Sequence, residues 1–201
     1  MNTDRKIEVM ENILFNFISK HIALSEEEKK TILSLDIFRT VKKGTVLLKE
    51  GQYSLEGYFV LKGCLRTYYL IDGEEKTTDF YTEMEGITPN CVLSKEASKY
   101  YISCAEDSII TISNPDMEAE IFEKFPKFET LCRILSEQLI SKNQSSFDTF
   151  KTSTPEQRYL NLLQTRRDLV QRVPQHQLAS YLGITPQSLS RMRSRLIEKK
   201  A

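Results

Sequence analysis

Gln177-Leu-Ala-Ser-Tyr-Leu-Gly-Ile-Thr-Pro-Gln-Ser-Leu-Ser-Arg-Met-Arg-Ser-Arg195 reads as two short helices joined by a tight turn. Leu178 and Leu182 share one face of the first helix, and Ala179 is small enough for a second helix to approach. Gly183 stands where the turn needs positive φ. Thr185 then offers a hydroxyl to an orphan N–H, and Pro186 takes the first helical position, where a missing donor costs nothing. Along the second helix Leu189, Met192 and Leu196 recur at spacings of three and four, a stripe to bury, while Gln187, Ser188, Arg191 and Arg195 point elsewhere. A generic helical hairpin needs only some of these features. Together, at these offsets, they make the layout of a helix-turn-helix.

The charge distribution agrees with a special tail. Over 201 residues, 28 Lys and Arg balance 28 Asp and Glu. Residues 151–201 nevertheless hold ten basic and three acidic residues, a balance of +7, which leaves −7 on the first 150. One end suits a polyanion and the other repels it. Cys64, Cys91, Cys104 and Cys132 lie far apart, with no two-residue spacing of a zinc or redox motif, so free thiols in a reducing compartment are expected. No secretory leader and no apolar run of membrane-spanning length is seen, and the expected location is cytoplasmic.

Upstream of the tail the periodicity changes twice. Ile7, Met10, Ile13, Leu14, Phe17 and Ile18 form a helical stripe, and Ser25-Glu-Glu-Glu28 fits a capping box that starts a second helix. From Phe38 to Ile112 short β-type runs alternate with turns at Lys43-Gly44, Glu50-Gly51, Lys62-Gly63 and Asp72-Gly73, the last a hairpin signal. Many short strands at regular spacing predict an antiparallel barrel or jelly roll. After Asn114-Pro115 the helical period returns: a short helix near 117–124, a long one from about 126 to 150, and another over 156–169 capped by Thr154. Phe128, Leu131, Leu135 and Leu139 form the apolar seam of the long helix. Such a seam suits a partner helix or the barrel's own surface, and its place between two compact units favours dimerisation.

Lys43-Gly-Thr-Val-Leu-Leu-Lys-Glu-Gly51, Tyr58-Phe-Val-Leu-Lys-Gly63 and Gly183-Ile-Thr-Pro-Gln-Ser-Leu-Ser-Arg191 together resemble three segments of the CRP/FNR family (cyclic-AMP receptor and fumarate/nitrate-reduction regulators), in family order along essentially the whole chain. The resemblance implies an α+β chain with a helical lead-in and a β-roll of cyclic-nucleotide-binding type over 1–125. A dimerisation helix over 126–150 and a helix-turn-helix unit over 151–201 follow. It also implies a transcriptional regulator that binds two-fold promoter DNA as a homodimer and contacts RNA polymerase.

Within that frame Gln187 pairs with adenine and Arg191 with guanine, both bidentately, as the expected base readers. Thr185, Ser188, Arg193, Arg195 and Lys199 are expected to contact phosphates or steady the helix. The stretch Glu85–Tyr101 departs from the family's phosphate-binding cassette: it contains no arginine, its Glu-Gly pair is reversed, and Lys95 and Lys99 lack the guanidinium fork. Control by cyclic AMP is therefore not expected. Residues 1–63 contain no cysteine for an iron–sulfur cluster, and no cofactor is expected. Residues 38–112 contain no histidine, which removes a cupin-type metal centre or a catalytic triad, so an enzyme is not expected. The alternative is a sensor module: an unidentified small molecule in a β-roll lined by Phe59, Tyr68, Tyr69, Phe80, Tyr81, Tyr100 and Tyr101, which serve equally as core, or a thiol switch at Cys64, Cys91 or Cys104.

Overall fold

The structure, a computed structural model, describes residues 3–198. Helices α1 (Thr3–Ile18) and α2 (Glu26–Ser34) lead into β1 (Phe38–Val41), β2 (Val46–Leu48), β3 (Gly57–Lys62), β4 (Leu65–Ile71), β5 (Glu74–Tyr81) and β6 (Gly86–Ile87). A short α3 (Asn90–Ser94) precedes β7 (Tyr101–Cys104) and β8 (Ser108–Ser113). The remainder is helical: α4 (Pro115–Lys124), α5 (Lys127–Thr152), α6 (Pro155–Thr165), α7 (Arg167–Arg172), α8 (Gln175–Tyr181) and α9 (Pro186–Glu198). This is the α+β order that the sequence implies.

Local chemistry sets the element starts. Ser25 Oγ accepts from Glu28 N, and Glu28 Oε2 accepts from Ser25 N, so α2 opens with both halves of a capping box. Thr154 and Gln157 repeat the device at α6. The β4–β5 hairpin turns at Asp72 (φ 53°) and Gly73 (φ 79°), the pair of positive φ values that matches the twist of the flanking strands.

The strands form two antiparallel sheets, ordered β1-β8-β3-β6 and β2-β7-β4-β5, and β5 is an edge of the second. Strand β4 is buried on both faces over Leu65–Tyr68. Leu65 on one face belongs to the roll's core, and on the other face Arg66 is held by Thr77 and Glu75 of β5 while Tyr68 stacks on Tyr101 of β7. Three apolar clusters result. The roll's own core contains Leu48, Val60, Leu65, Ile102 and Ile110. A second cluster joins Met10, Leu14, Ile18 and Ile32 to Ile121, Phe128 and Leu131. The third joins Cys64, Phe80 and Ala105 of the roll to Leu162, Leu169, Val173, Leu178 and Leu189 of the C-terminal helices.

The structure places one expected feature of the helices and corrects another. Phe128 and Leu131 of the long-helix seam are buried against the lead-in helices, Leu135 packs beside them, and Leu139 is half-buried. The opposite face of α5 carries Ile140 and Phe147, 67% and 58% exposed. The helix expected over 156–169 is in fact two, because Arg166 leaves the helical region (φ −141°, ψ 54°) and turns its side chain into the roll.

Candidate nucleic-acid interface

Helix α8 ends in a Schellman motif that sets the angle of everything after it. Ile184 N donates to Ala179 O and Gly183 N to Ser180 O, both at 3.0 Å, with Gly183 at φ 72°. A Cβ at Gly183 would stand 3.4 Å from the Phe150 ring as well as straining the backbone. Thr185 Oγ1 then accepts from Ser188 N at 3.2 Å and donates to Ser188 Oγ at 3.0 Å, so α9 starts where the sequence predicts. Leu178, Ala179, Leu189 and Met192 are buried between the two helices, which fixes the rotation of α9 about its axis.

That rotation leaves Gln187, Ser190, Arg191, Ser194 and Arg195 exposed along one side. Among the described residues Arg191, Arg193 and Arg195 make no ion pair or hydrogen bond. Arg193 stands apart from the other two. It lines a cleft of about 460 Å³ with Arg167, Tyr159, Val170 and Gln171 on the flank of α9. The structure therefore groups Gln187 with Arg191 and Arg195, confines Thr185 and Ser188 to the cap, and adds Ser190, Ser194 and Arg167, which the sequence reading missed. Serines 190 and 194 were findable, since they follow Gln187 at the helical period; Arg167 was not, since its neighbour Arg193 is distant in sequence. Lys199 lies outside the described residues.

The opposite face of these helices is docked on the roll, and arginine does much of the docking. Arg166 Nη1 and Nη2 donate to Phe80 O at 3.1 Å, and Nη2 also reaches Thr82 Oγ1 and Glu85 Oε2, each at 3.1 Å. Arg172 holds both oxygens of Glu83 at 2.8 Å, Glu106, Asp168 and Gly63 O. Burial works against the Glu83 carboxylate, yet Arg172 and the Gly63 N–H hold its pKa below the ordinary value. Ser180 closes the free edge of β5, accepting from Thr77 N at 2.9 Å and donating to Glu75 O at 3.0 Å.

Between the roll's inner face, the second half of α5 and the α6–α8 unit lies a cavity of about 1100 Å³. Tyr69, Tyr81, Tyr100, Thr67, Thr78, Asp79, Glu85, Lys142 and Arg166 are among its lining. Lys142 Nζ donates to Glu85 Oε1 at 2.6 Å. Burial pushes the Asp79 carboxyl up, against the pull of Lys142. The cations Lys95 and Lys99, weighed in the sequence as phosphate ligands, are exposed and do not line this cavity. Of the aromatic residues weighed for the pocket, Phe80 is instead buried beneath Tyr181 of α8, and Tyr68 stacks on Tyr101. Burial pushes the Cys64 thiol up to about 12 and the Cys104 thiol up to about 11, which disfavours the thiolate at both positions. Among the described residues no His/Cys/Asp/Glu group could hold a metal ion, and no helix is long and apolar enough to cross a membrane.

The fold is that of solved CRP/FNR-type regulators. FixK2 from Bradyrhizobium japonicum superimposes with a TM-score of 0.67 at 16% identity, covering 81% of this chain and 85% of its own. CLP, a c-di-GMP responsive global regulator from Xanthomonas campestris, gives 0.67 at 13% identity, covering 88% and 93%. A protein from Eubacterium rectale assigned to the crp/fnr family of transcriptional regulators gives 0.64 at 21% identity, covering 87% and 85%. The sequence matches no protein-family model and no curated protein.

Proposed function

We propose that the chain is a DNA-binding transcriptional regulator of CRP/FNR type, a homodimer whose two α9 helices enter successive major grooves. The observation that carries this reading is the exposed, unpaired row Gln187, Arg191 and Arg195 on a helix whose other face is locked by Leu189 and Met192. Gln187 and Arg191 are the base readers; Arg193, Arg195 and Arg167 meet phosphates. Residues 1–125, 126–150 and 151–201 form the sensor, the dimer helix and the reader. Dimerisation uses the outer face of α5, where Ser136, Ile140, Asn143 and Phe147 follow one another at heptad-like spacing, with Asn143 a polar register residue. The chain is cytoplasmic and not an enzyme. Cyclic AMP is not its signal on this reading, because Glu85–Tyr101 contains no arginine to grip a cyclic phosphate.

The test compares binding to an operator duplex and to a scrambled one. Arg191→Ala lowers the ratio between them; an unchanged ratio contradicts the base-reading role.

The cavity supports a second reading, in which the roll binds a small-molecule effector. Thermal shift against a metabolite collection tests it: a saturable rise in Tm supports an effector, and no rise with any compound removes it.

A further inference from the structure

The connection between α5 and the reader is only Ser153 and Thr154, both extended (φ −113°, ψ 147° and φ −68°, ψ 160°). Nothing covalent there fixes the angle of α9 relative to the dimer helix. The angle is fixed by three arginines that come from the reader and end on the rest of the chain. Arg158 stacks on Phe150 at 4.4 Å, donates to Phe150 O and Ser153 O, and reaches back to Leu182 O beside the turn glycine. Arg166 and Arg172 grip the roll as described above. Glu85 joins the parts: one oxygen is held by Lys142 of α5 and the other by Arg166 of the reader. Apolar packing of Phe80 and Tyr181 gives adhesion between roll and reader, but a guanidinium forked onto carbonyls and carboxylates gives direction.

Resting on the DNA-binding reading, we propose that Arg166 and Arg172 are positioning residues that set the spacing between the two half-sites, though neither touches DNA. In the dimer the two-fold axis runs along α5. The path from that axis to each reader passes through Lys142, Glu85 and Arg166, with Arg172 as a second anchor about one and a half helical turns further along the chain. Half-sites of a helix-turn-helix dimer lie about one DNA turn, roughly 34 Å, apart. One added base pair moves a half-site by roughly 3.4 Å along the axis and turns it around the duplex. A reader free to pivot at Ser153–Thr154 follows that change. A reader latched to the roll does not.

The experiment uses the full chain and duplexes carrying the half-sites recovered by selection from random DNA, with the spacer shortened by one base pair, unchanged, or lengthened by one or two. The parent loses about tenfold in affinity at each altered spacing, the size of a mismatched base pair. Arg166→Gln with Arg172→Gln cuts that loss below about threefold while base discrimination within a half-site stays at the parent level. Glu83→Gln with Glu106→Gln, made on the roll side, relaxes spacing in the same direction and guards against misfolding of the reader. Arg172→Lys, which keeps the charge without the fork, resembles the Gln variant. Unaltered spacing preference in these variants overturns the proposal, as does a parallel loss of base discrimination, which marks a merely structural role. If the parent itself shows no sequence-specific binding, the DNA-binding reading fails, and this result is distinct from either of those.

Discussion

The two sides of the C-terminal helices carry the same chemistry for opposite purposes. On α9, Arg191, Arg193 and Arg195 stand in solvent with no partner among the described residues; on the side facing α5 and the roll, Arg158, Arg166 and Arg172 are held by carbonyls and carboxylates. Counted in sequence, all six contribute to one basic tail. The fold divides them, so the electrostatic footprint offered to a polyanion is smaller than the +7 balance, and the difference holds the reader in place. Unpaired arginine on a rigid helix is a contact surface, whereas arginine saturated by acceptors is architecture.

Substitutions on the two sides and beneath them separate these purposes. Leu189 is fully buried, and Leu189→Ala is expected to cost about 2–5 kcal/mol of stability in denaturant unfolding, with DNA binding lost as a consequence. Arg191→Ala should leave unfolding unchanged and cost roughly 1–3 kcal/mol of specific binding in titrations of operator against scrambled duplex. A stability loss there would blur the distinction. Arg172 is partly exposed, so Arg172→Ala, which leaves Glu83 and Glu106 without their ion partner, is expected to cost about 1–2 kcal/mol of stability. The same change should leave the slope of log K against log salt untouched, whereas neutralising Arg193 or Arg195 should reduce it by about one.

The smallest effect is a pair of opposite pH dependences. Glu83 has a lowered pKa in the fold, so its contribution is present above its ordinary value near 4.5 and fades as pH falls through the folded value. The Tm difference between parent and Glu83→Gln should therefore be largest at neutral pH and vanish in acid. Asp79 has a raised pKa, so its ionised form is the costly one. Asp79→Asn should raise Tm slightly at pH 7 to 8, with the gain shrinking as pH falls. If both differences run in the same direction, burial and pairing have been assigned to the wrong carboxylates.

The same contrast explains what was legible in the sequence. Elements fixed by neighbours along the chain were readable: the Ser25 capping box, the Asp72-Gly73 hairpin, the Gly183 turn and the Thr185-Pro186 start of α9 each depend on residues within a few positions. Elements fixed by distant partners were not. Strand β6 has two residues and exists because Tyr58 and Phe59 pair with Ile87 and Gly86. Helix α3 has five residues, too few for a period to show. The α5 stripe was visible, but periodicity says only that a face is covered, and here the lead-in helices cover it. Arg166 breaks a helix whose apolar pattern runs straight through it, because its partners Phe80, Thr82 and Glu85 are more than eighty positions away.

In the proposed function the exposed side of α9 reads two-fold DNA. Selection of bound duplexes from a random pool, repeated at two salt concentrations, tests it most directly. The expected outcome is enrichment of an inverted repeat with half-sites about one DNA turn apart, surviving at the higher salt with reduced affinity. A pool that stays unenriched, or binding that disappears with salt and leaves no repeat behind, would contradict it.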